Sequence, residues 1–309
     1  MAVEKNNLKK SDITLGPLLF HWDEDKARDF YFKIADEAPI DKVYIGEVVC
    51  SKRAPFHAKY IPEAVERLQS AGKEVILSTL QLVMNNRELN EIRDTAGFAD
   101  DMMIEANDLS AVNLLAGKPH SIGTFVNIYN IGTLKVFEQM GAKNICLPGE
   151  LPSTSIKTLA GAASTSNVEV YVFGRLPLAI SARCYHARAH NLHKDNCQYV
   201  CGLDSDGMNV NTISGQPFLA ANGLQTMSQT CCELSGEIEE LQSFGVSGFR
   251  LSPHDVDMVQ VSNIYRDIAD SKIEKSEARS KLEEEVDFAD FSNGFYHGTV
   301  GKESIESVA

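Results

Sequence analysis

The sequence lacks long hydrophobic runs. The longest apolar stretch near its start, Leu15 to Phe20, is interrupted by Gly and Pro, whereas the apolar core of a secretory signal needs about 7–15 residues. No segment approaches the roughly 18 consecutive apolar residues of a transmembrane helix. We therefore expect a cytoplasmic protein with no signal peptide and no transmembrane segment, in a compartment where thiols stay reduced.

Positive charge is also scarce. The 309 residues include 29 Lys and Arg against 43 Asp and Glu, which gives a formal net charge of −14. Affinity for a phosphate backbone comes largely from Lys and Arg, and anionic membranes likewise attract basic surfaces. The composition therefore predicts no nucleic-acid partner and argues against docking on an anionic membrane.

Several common catalytic motifs are missing. There is no G-x-G-x-x-G after a strand, no phosphate-binding P-loop, no H-E-x-x-H and no G-x-S-x-G. The nearest matches fail in detail, because Gly301–Glu303 lacks the Ser/Thr of a P-loop and Gly245–Gly248 is one residue short of a nucleophile elbow. Nucleotide-driven and serine-hydrolase chemistry therefore have no support in the sequence.

Short apolar runs dominate what is present, and most are nearly continuous rather than alternating. Such runs are typical of parallel strands that are covered by helices. Helical segments with apolar residues at three- and four-residue spacing lie between them, so the sequence predicts a (β/α)8-type (TIM-like) barrel, complete or incomplete, with an open doubly wound sheet as the alternative. The eight predicted strands are Ile13–Leu19, Lys42–Glu47, Glu74–Thr79, Met102–Asn107, Ile122–Tyr129, Asn144–Glu150, Val168–Gly174 and Gly248–Pro253.

The sequence predicts a single barrel-like domain spanning residues 1–309. Two regions of it depart from the regular alternation of strands and helices. Residues 180–244 form a Cys-rich insertion between predicted strands seven and eight. Residues 258–309 form a C-terminal helical extension, in which Met258–Glu285 reads as one long charged helix with a solvated face. The aromatic and Gly-rich segment Phe288–Gly301 is expected to pack back on the body.

Cysteine is the most informative residue type, with seven copies in the chain. Cys184, Cys197 and Cys201 follow the spacing C-x12-C-x3-C, and Cys50 follows predicted strand two. All strand ends of a barrel meet on one face, so Cys50 can join the other three. Four thiolates select zinc or an iron–sulfur cluster. The remaining cysteines, Cys146, Cys231 and Cys232, are expected to be buried structural residues.

Three histidines lie beside the clustered cysteines. His186, His190 and His193 could join Cys in a mixed zinc site, or they could be solvated loop residues. The spacing leaves both interpretations open.

A set of motifs resembles the U32 "peptidase" family over almost the whole chain. They are LGPLLFHW (15–22), GEVVCSKR (46–53), VILSTLQLV (75–83), LPLAISARC (176–184), NGLQTMS (222–228) and FRLSP (249–253), together with the cysteine spacing. The likeness is strongest to the branch of the family that acts in ubiquinone biosynthesis. The acidic C-terminal helix and the His-rich loop depart from the family pattern.

The resemblance implies a cofactor, partners and substrates. Cys50, Cys184, Cys197 and Cys201 would bind a [4Fe–4S] cluster, in a heterodimer with a UbiU-like subunit. The pair would hydroxylate a prenylated quinone precursor without O2, with prephenate as the oxygen source. Four protein thiolates leave no open iron, so this chain would transfer electrons or sense redox state. Alternatives are a zinc- or cluster-stabilised scaffold, a U32-type peptidase, and an RNA hydroxylase, which the net charge disfavours.

A substrate pocket is expected on the same barrel face. Each charged candidate could instead be a structural ion pair. Arg53 and Arg183 lie within three residues of a predicted cluster ligand, and a guanidinium can clamp a carboxylate such as that of prephenate in a bidentate fashion. The candidate lining residues are Glu47, Arg53, Glu105, Asn127, Asn130, Glu150 and Arg183.

Overall fold

Eight parallel strands close into a barrel in the computed structural model, which describes residues 11–306. The barrel strands are β1 (Asp12–Leu15), β2 (Lys42–Ile45), β3 (Glu74–Ser78), β4 (Met103–Ala106), β5 (His120–Ile122), β6 (Ala142–Cys146), β7 (Asn167–Ile180) and β11 (Gly248–Leu251). The other strands are β8 (Met208–Asn211), β9 (Pro217–Asn222), β10 (Gln225–Glu233) and β12 (Phe291–Ser292). Because β11 pairs in parallel with both β1 and β7, the ring is closed, and the predicted TIM-like barrel is confirmed.

Strand five is the one barrel strand that the sequence misplaces. The predicted run was Ile122–Tyr129, whereas β5 ends at Ile122 and a single 3₁₀ turn occupies Thr124–Val126. Asn127 then adopts a left-handed conformation with a φ of 61°. Asn tolerates this conformation better than most residues, so the apolar run turns away from the barrel instead of extending the strand.

Helices surround the barrel. They are α1 (Glu24–Glu37), α2 (Ala54–Ser70), α3 (Asn86–Ala96), α4 (Leu109–Leu114), α5 (Ile131–Met140), α6 (Ser153–Ala162), α7 (Tyr185–Ala189), α8 (Ile238–Ser243), α9 (Met258–Ala269) and α10 (Lys275–Glu285). Asp23, Asn85 and Asn130 each accept a hydrogen bond from a first-turn backbone N–H, which explains where α1, α3 and α5 begin. Among the described residues, no helix combines the length and apolar content needed to span a membrane.

The C-terminal segment corrects the prediction of one long helix. Helix α9 ends at Ala269, and Ser271 takes a left-handed conformation before α10 begins. Helix α9 is also not a solvated helix, because Val261 and Tyr265 are fully buried against the barrel. The chain then packs back on the body as expected, since β12 pairs with β10.

The insertion builds a small antiparallel sheet on one end of the barrel. Strand β7 continues past the barrel to Ile180, and β10 returns beside it in the antiparallel direction. Strands β9 and β8 extend this sheet outward. The insertion is tied to the barrel by Trp22 Nε1, which donates to Ser205 O at 2.8 Å, and by His254, whose Nδ1 lies 2.7 Å from Asp206 Oδ1.

Candidate functional site

One cavity gathers the four cysteines that the spacing singled out. Cys50 follows β2 at the carboxyl end of the barrel, and Cys184, Cys197 and Cys201 come from the insertion. The cavity between these side chains is small, with a volume of about 20 Å³. It is lined by Cys50, Lys52, Arg53, Cys184, Cys197, Tyr199, Val200, Cys201 and Gly223. Tertiary folding therefore brings together residues that are more than 130 positions apart.

A buried carboxylate shapes the Cys50 loop. Glu47 Oε1 accepts hydrogen bonds from the backbone N–H of Val49 at 2.7 Å and of Cys50 at 2.8 Å. Its other oxygen lies 3.3 Å from His57 Nε2. On the insertion side, Cys184 Sγ accepts from the N–H of Ala187 at 3.4 Å, at the start of α7. Both loops are thus held by contacts that involve a cysteine.

Lys52 connects the barrel loop to the insertion loop. Lys52 Nζ donates to the carbonyl of Lys194 at 2.6 Å and lies 3.1 Å from Asp195 Oδ1. Lys194 Nζ in turn donates to Ala182 O at 3.0 Å. The bonds of Lys52 fix the segment before Cys197 against the segment after Cys50, and the bond of Lys194 lies within the insertion.

Arg53 is the most deeply buried charge at this site, with 1 % of its surface exposed. Its Nη1 donates to Leu19 O at 2.8 Å, and its Nη2 donates to Asn222 Oδ1 at 3.0 Å. The guanidinium also contacts the Cys201 thiol. Within residues 11–306 its Nε has no acceptor of hydrogen-bond geometry, so a buried N–H beside the cysteine cavity is left for a sulfur acceptor.

The protonation of the thiols follows from burial. Burial raises the pKa of Cys50 to about 11 despite the opposing charge of Arg53. Burial also raises the pKa of Cys201, again against the attraction of Arg53. These two sulfurs are therefore protonated at neutral pH in the free chain, and binding to a metal centre would release their protons.

The neighbouring histidines have other partners. His186 is fully buried, with its Nε2 2.7 Å from Asp204 Oδ2 and its Nδ1 3.5 Å from the N–H of Gly223. It is therefore neither a solvated residue nor free to bind a metal. His190 stacks on its ring with centroids 5.9 Å apart, and His193 is exposed at the start of the Lys194–Asn196 turn.

A set of four thiolates can hold either a zinc ion or an iron–sulfur cluster. Across residues 11–306, no three His, Cys, Asp or Glu side chains converge closely enough to hold one metal ion. A zinc site requires its sulfurs about 2.3 Å from a common centre. A [4Fe–4S] cluster instead accepts four thiolates, each on its own iron, so the sulfurs surround a cavity. All four cysteines line one cavity, and the Arg53 Nε beside it has no acceptor within residues 11–306.

The remaining residues of the predicted pocket are spread over the barrel face. Glu105 lies inside the barrel, where its Oε1 accepts from Arg250 Nη1 at 2.9 Å. Glu150 accepts a hydrogen bond from the Tyr129 hydroxyl. The other three lie at or near the surface, where Asn130 caps α5, Asn127 occupies the turn after Thr124–Val126, and Arg183 is exposed.

The barrel interior contains charged residues that the motif analysis did not assign. Arg250 on β11 donates from Nε to Glu169 Oε2 at 2.9 Å and lies 3.5 Å from the centre of the Tyr44 ring. Glu169 also accepts from the Tyr44 hydroxyl at 2.7 Å. A signal was available, because a charged residue within an otherwise apolar barrel strand must find its partner in the interior.

These features define a class of protein: a closed (β/α)8 barrel with a four-cysteine cavity at the carboxyl ends of its strands. A family model described as Peptidase family U32 matches residues 30–306. The chain therefore belongs to peptidase family U32. Cys50, Cys184, Cys197 and Cys201 all lie within the matched region.

Two solved structures of lyases are similar to the chain at low identity. N-acetylneuraminate lyase from Fusobacterium nucleatum, in complex with pyruvate, aligns at 10% identity with a TM-score of 0.36, over 91% of this chain and 81% of that chain. N-acetylneuraminate lyase from Mycoplasma synoviae aligns at 11% identity with a TM-score of 0.30, over 90% of this chain and 80% of that chain.

Proposed function

We propose that this chain is the [4Fe–4S] subunit of an O2-independent hydroxylase in ubiquinone biosynthesis, similar to UbiV proteins, and that it works in the cytoplasm with a UbiU-like partner. The observation that carries the proposal is the single cavity lined by Cys50, Cys184, Cys197 and Cys201. Membership in family U32, together with motifs that resemble its ubiquinone branch, adds support.

The surroundings of the cysteines are compatible with this function. The four sulfurs line one cavity. Arg53 places a permanent positive charge beside them, and cationic or hydrogen-bonding groups next to cluster sulfurs raise the reduction potential. When bound, a [4Fe–4S] cluster would supply one-electron redox chemistry.

The residues of the chain have separable roles in this proposal. The four cysteines would hold the cluster. Glu47 would set the position of the Cys50 loop through its two backbone hydrogen bonds. Lys52 would hold the insertion against the barrel and so keep Cys197 near Cys50. The prenylated quinone precursor and prephenate would bind on the same barrel face or at the interface with the partner.

The test is anaerobic purification followed by iron and sulfide analysis. We expect about four irons and four sulfides per chain, with a brown colour that bleaches with dithionite. The Cys197→Ser variant should lose most of the iron and sulfide. Cys231→Ala is the matched control, because Cys231 is fully buried in β10 outside the cysteine cavity, and its cluster content should equal that of the wild type.

Three outcomes would overturn the proposal. They are a wild-type chain that stays free of iron and sulfide after anaerobic reconstitution, a Cys197→Ser variant that keeps its full cluster, and zinc bound in place of iron. Hydroxylation of the quinone precursor by the reconstituted pair tests the activity. Proteolysis without hydroxylation would instead support the peptidase interpretation that the family name carries.

A further inference from the structure

A groove on the outside of the barrel lies between helices α2 and α3. Helix α2 packs on α1, and helix α3 packs on α4, so the groove separates these two pairs. Its volume of about 330 Å³ falls within the roughly 300–1,000 Å³ that is typical of small-molecule sites. We call it the α2–α3 groove.

The walls of the groove are mostly apolar. Ala54, Ala58 and Ile61 are spaced by four and three residues on α2 and therefore share one face of that helix. The two alanines are small, which leaves room in front of this face. On the side of α3 the groove is lined by Ile92 and Phe98, and Phe98 has 53 % of its surface exposed. The apolar body of a ligand would cover that ring.

The charges that line the groove are negative. Among its described lining residues, Glu47, Glu91 and Asp94 are carboxylates and none is Lys or Arg. Burial raises the pKa of Glu91, and the negative charges of Glu88, Glu47 and Asp94 add to this effect against the opposing charge of Arg87. The Arg87 side chain is 65 % exposed, with its Nε 3.2 Å from Glu91 Oε1, so this surface pair compensates the carboxylate only weakly.

One of the three carboxylates is buried and has an unpaired oxygen. Glu47 is 9 % exposed, and its Oε2 has no hydrogen-bond partner among residues 11–306. His57 Nε2 lies 3.3 Å from that oxygen but outside hydrogen-bond geometry. Burial and the charge of Arg53 lower the pKa of His57, so its imidazole is neutral at pH 7. The lining therefore combines negative charge with apolar surface, which suits a cation with an apolar body.

We propose that the α2–α3 groove binds a small primary amine, with its apolar body between Ala58 and Phe98 and its ammonium among the carboxylates of Glu47, Glu91 and Asp94. Ligand sites are typically apolar clefts in which a few polar groups fix the orientation, and an ammonium can donate three hydrogen bonds to such acceptors. The site goes beyond the proposed hydroxylase function and does not depend on it, because the described residues that line the cysteine cavity are not among those that line the groove.

The experiment compares three probes of similar shape on the anaerobically purified full chain by isothermal titration calorimetry at pH 7. 2-Phenylethylamine carries the ammonium, 2-phenylethanol replaces it with a neutral hydroxyl, and 3-phenylpropionate replaces it with a carboxylate. We expect the amine to bind at least about tenfold more tightly than either of the others, since hydrogen bonds between charged partners are roughly twice as strong as neutral ones. Equal binding of the alcohol, or tighter binding of the carboxylate, would overturn the proposal.

Variants place the amine in the groove. Glu91→Gln should weaken 2-phenylethylamine binding about fivefold, because the ammonium loses a charged acceptor. Ala58→Phe should weaken it at least about tenfold, because the larger side chain fills the groove. Both substitutions lie on the outer helices, and unchanged binding in the two variants would reject the assignment.

Glu63→Gln is the matched control for charge. Glu63 is an exposed carboxylate of α2 outside the groove, so its removal lowers the net negative charge of the chain by the same amount as Glu91→Gln. Binding of the amine should equal that of the wild type. A loss as large as that of Glu91→Gln would show that the amine responds to the overall charge of −14 and would overturn the proposal.

Iron and sulfide are measured in the same samples, so the two proposals can fail separately. The Cys197→Ser variant should lose its cluster and keep its affinity for the amine. Selective amine binding by a wild-type chain that holds no cluster after reconstitution would overturn the proposed hydroxylase function and leave the groove assignment intact. A chain with a full cluster that does not discriminate among the probes would overturn the groove assignment alone.

Discussion

At the scale of single residues, Gly123 is a glycine because no room is left for a side chain at that position. Its backbone is unstrained, but a Cβ there would reach 1.8 Å from Asn107 Oδ1 and 3.2 Å from the Glu105 carboxyl carbon. Both neighbours are buried and hydrogen-bonded, so neither can move cheaply. The glycine is therefore required by its close packing against Asn107 and Glu105, although nothing in the local sequence marks it.

Gly123→Ala should lower the free energy of unfolding by about 2 kcal/mol or more, as expected for overpacking a filled interior. Gly161→Ala is the control with the opposite sign. Gly161 lies in α6 with no atom within 4 Å of its added Cβ, so the alanine should stabilise the chain by about 0.5–1 kcal/mol. Urea denaturation of the wild type and the two variants measures both changes in the free energy of unfolding. A Gly123→Ala variant as stable as the wild type would contradict the steric explanation.

Arg53 shows how burial changes the role of a charged residue. The guanidinium binds Leu19 O and Asn222 Oδ1 at once, and a lysine cannot reproduce that planar fork. Arg53→Lys should therefore cost about 2 kcal/mol of unfolding free energy. The exposed Arg183 provides the control, since Arg183→Lys should change the free energy of unfolding by less than about 0.5 kcal/mol. Equal effects in the two variants would argue against a positioning role for Arg53.

At the scale of elements, one carboxylate joins α5 to the loop between α6 and β7. Glu138 Oε1 accepts from the backbone N–H of Ser164, Thr165 and Ser166 at 2.7, 2.8 and 3.2 Å, and its Oε2 lies 2.8 Å from Lys135 Nζ. Burial alone would raise the pKa of this carboxyl. The hydrogen bonds from Lys135, Thr165 and Ser164 outweigh that effect and hold the pKa of Glu138 well below its ordinary value of 4.5.

This contact makes stability depend on pH. Because the pKa is lower in the folded chain than in the unfolded chain, the stabilisation is present above pH 4.5 and is lost as the pH falls below it. Glu138→Gln should lower the unfolding free energy at pH 7 by about 1.5–3 kcal/mol. The difference in unfolding free energy between the variant and the wild type should become smaller between pH 5 and pH 3, because the wild type loses the stabilisation there. Glu66→Gln, at an exposed position of α2, should show no such narrowing, and a gap that stays constant with pH would contradict the argument.

At the scale of the whole molecule, a charge network crosses the barrel interior. Arg250 on β11 binds Glu105 on β4 and Glu169 on β7, so one side chain links three strands of the ring. All three residues are 3 % exposed or less. Removing one partner from such a network leaves an uncompensated buried charge. This destabilises a protein more than replacing the whole network with apolar residues would.

Arg250→Met should therefore destabilise the chain by about 3–5 kcal/mol. Adding Glu105→Gln and Glu169→Gln to that variant should recover a large part of the loss, since the buried negative charges are then gone. Arg28→Met is the surface control, because Arg28 pairs with Asp25 and Asp29 in solvent, where ion pairs contribute about 1 kcal/mol or less. Failure of the triple variant to regain stability in urea denaturation would show that the network contributes something besides charge balance.

The sequence by itself indicated parallel strands alternating with helices, and it left a closed barrel and an open doubly wound sheet as the two arrangements. Continuous apolar runs such as Lys42–Glu47 and Glu74–Thr79 are typical of parallel strands that are covered by helices. The cysteine spacing likewise indicated a four-thiol group, because Cys184, Cys197 and Cys201 lie close together in the chain. In contrast, local apolar content misplaced strand five, where the left-handed Asn127 follows a 3₁₀ turn. The alternating charges of Met258–Glu285 predicted one helix, whereas the structure has α9 and α10 with the left-handed Ser271 between them.

Only the tertiary structure decided how distant residues meet. The closed ring brings Cys50 to the insertion, buries Arg53 against Leu19 and Asn222, and sets Arg250 between two carboxylates. Among residues 11–306, it also leaves Asn107 Oδ1 without a hydrogen-bond partner. These outcomes depend on strand order, closure and the space between side chains. They arise from contacts between different elements of the chain and therefore leave no periodic pattern along it.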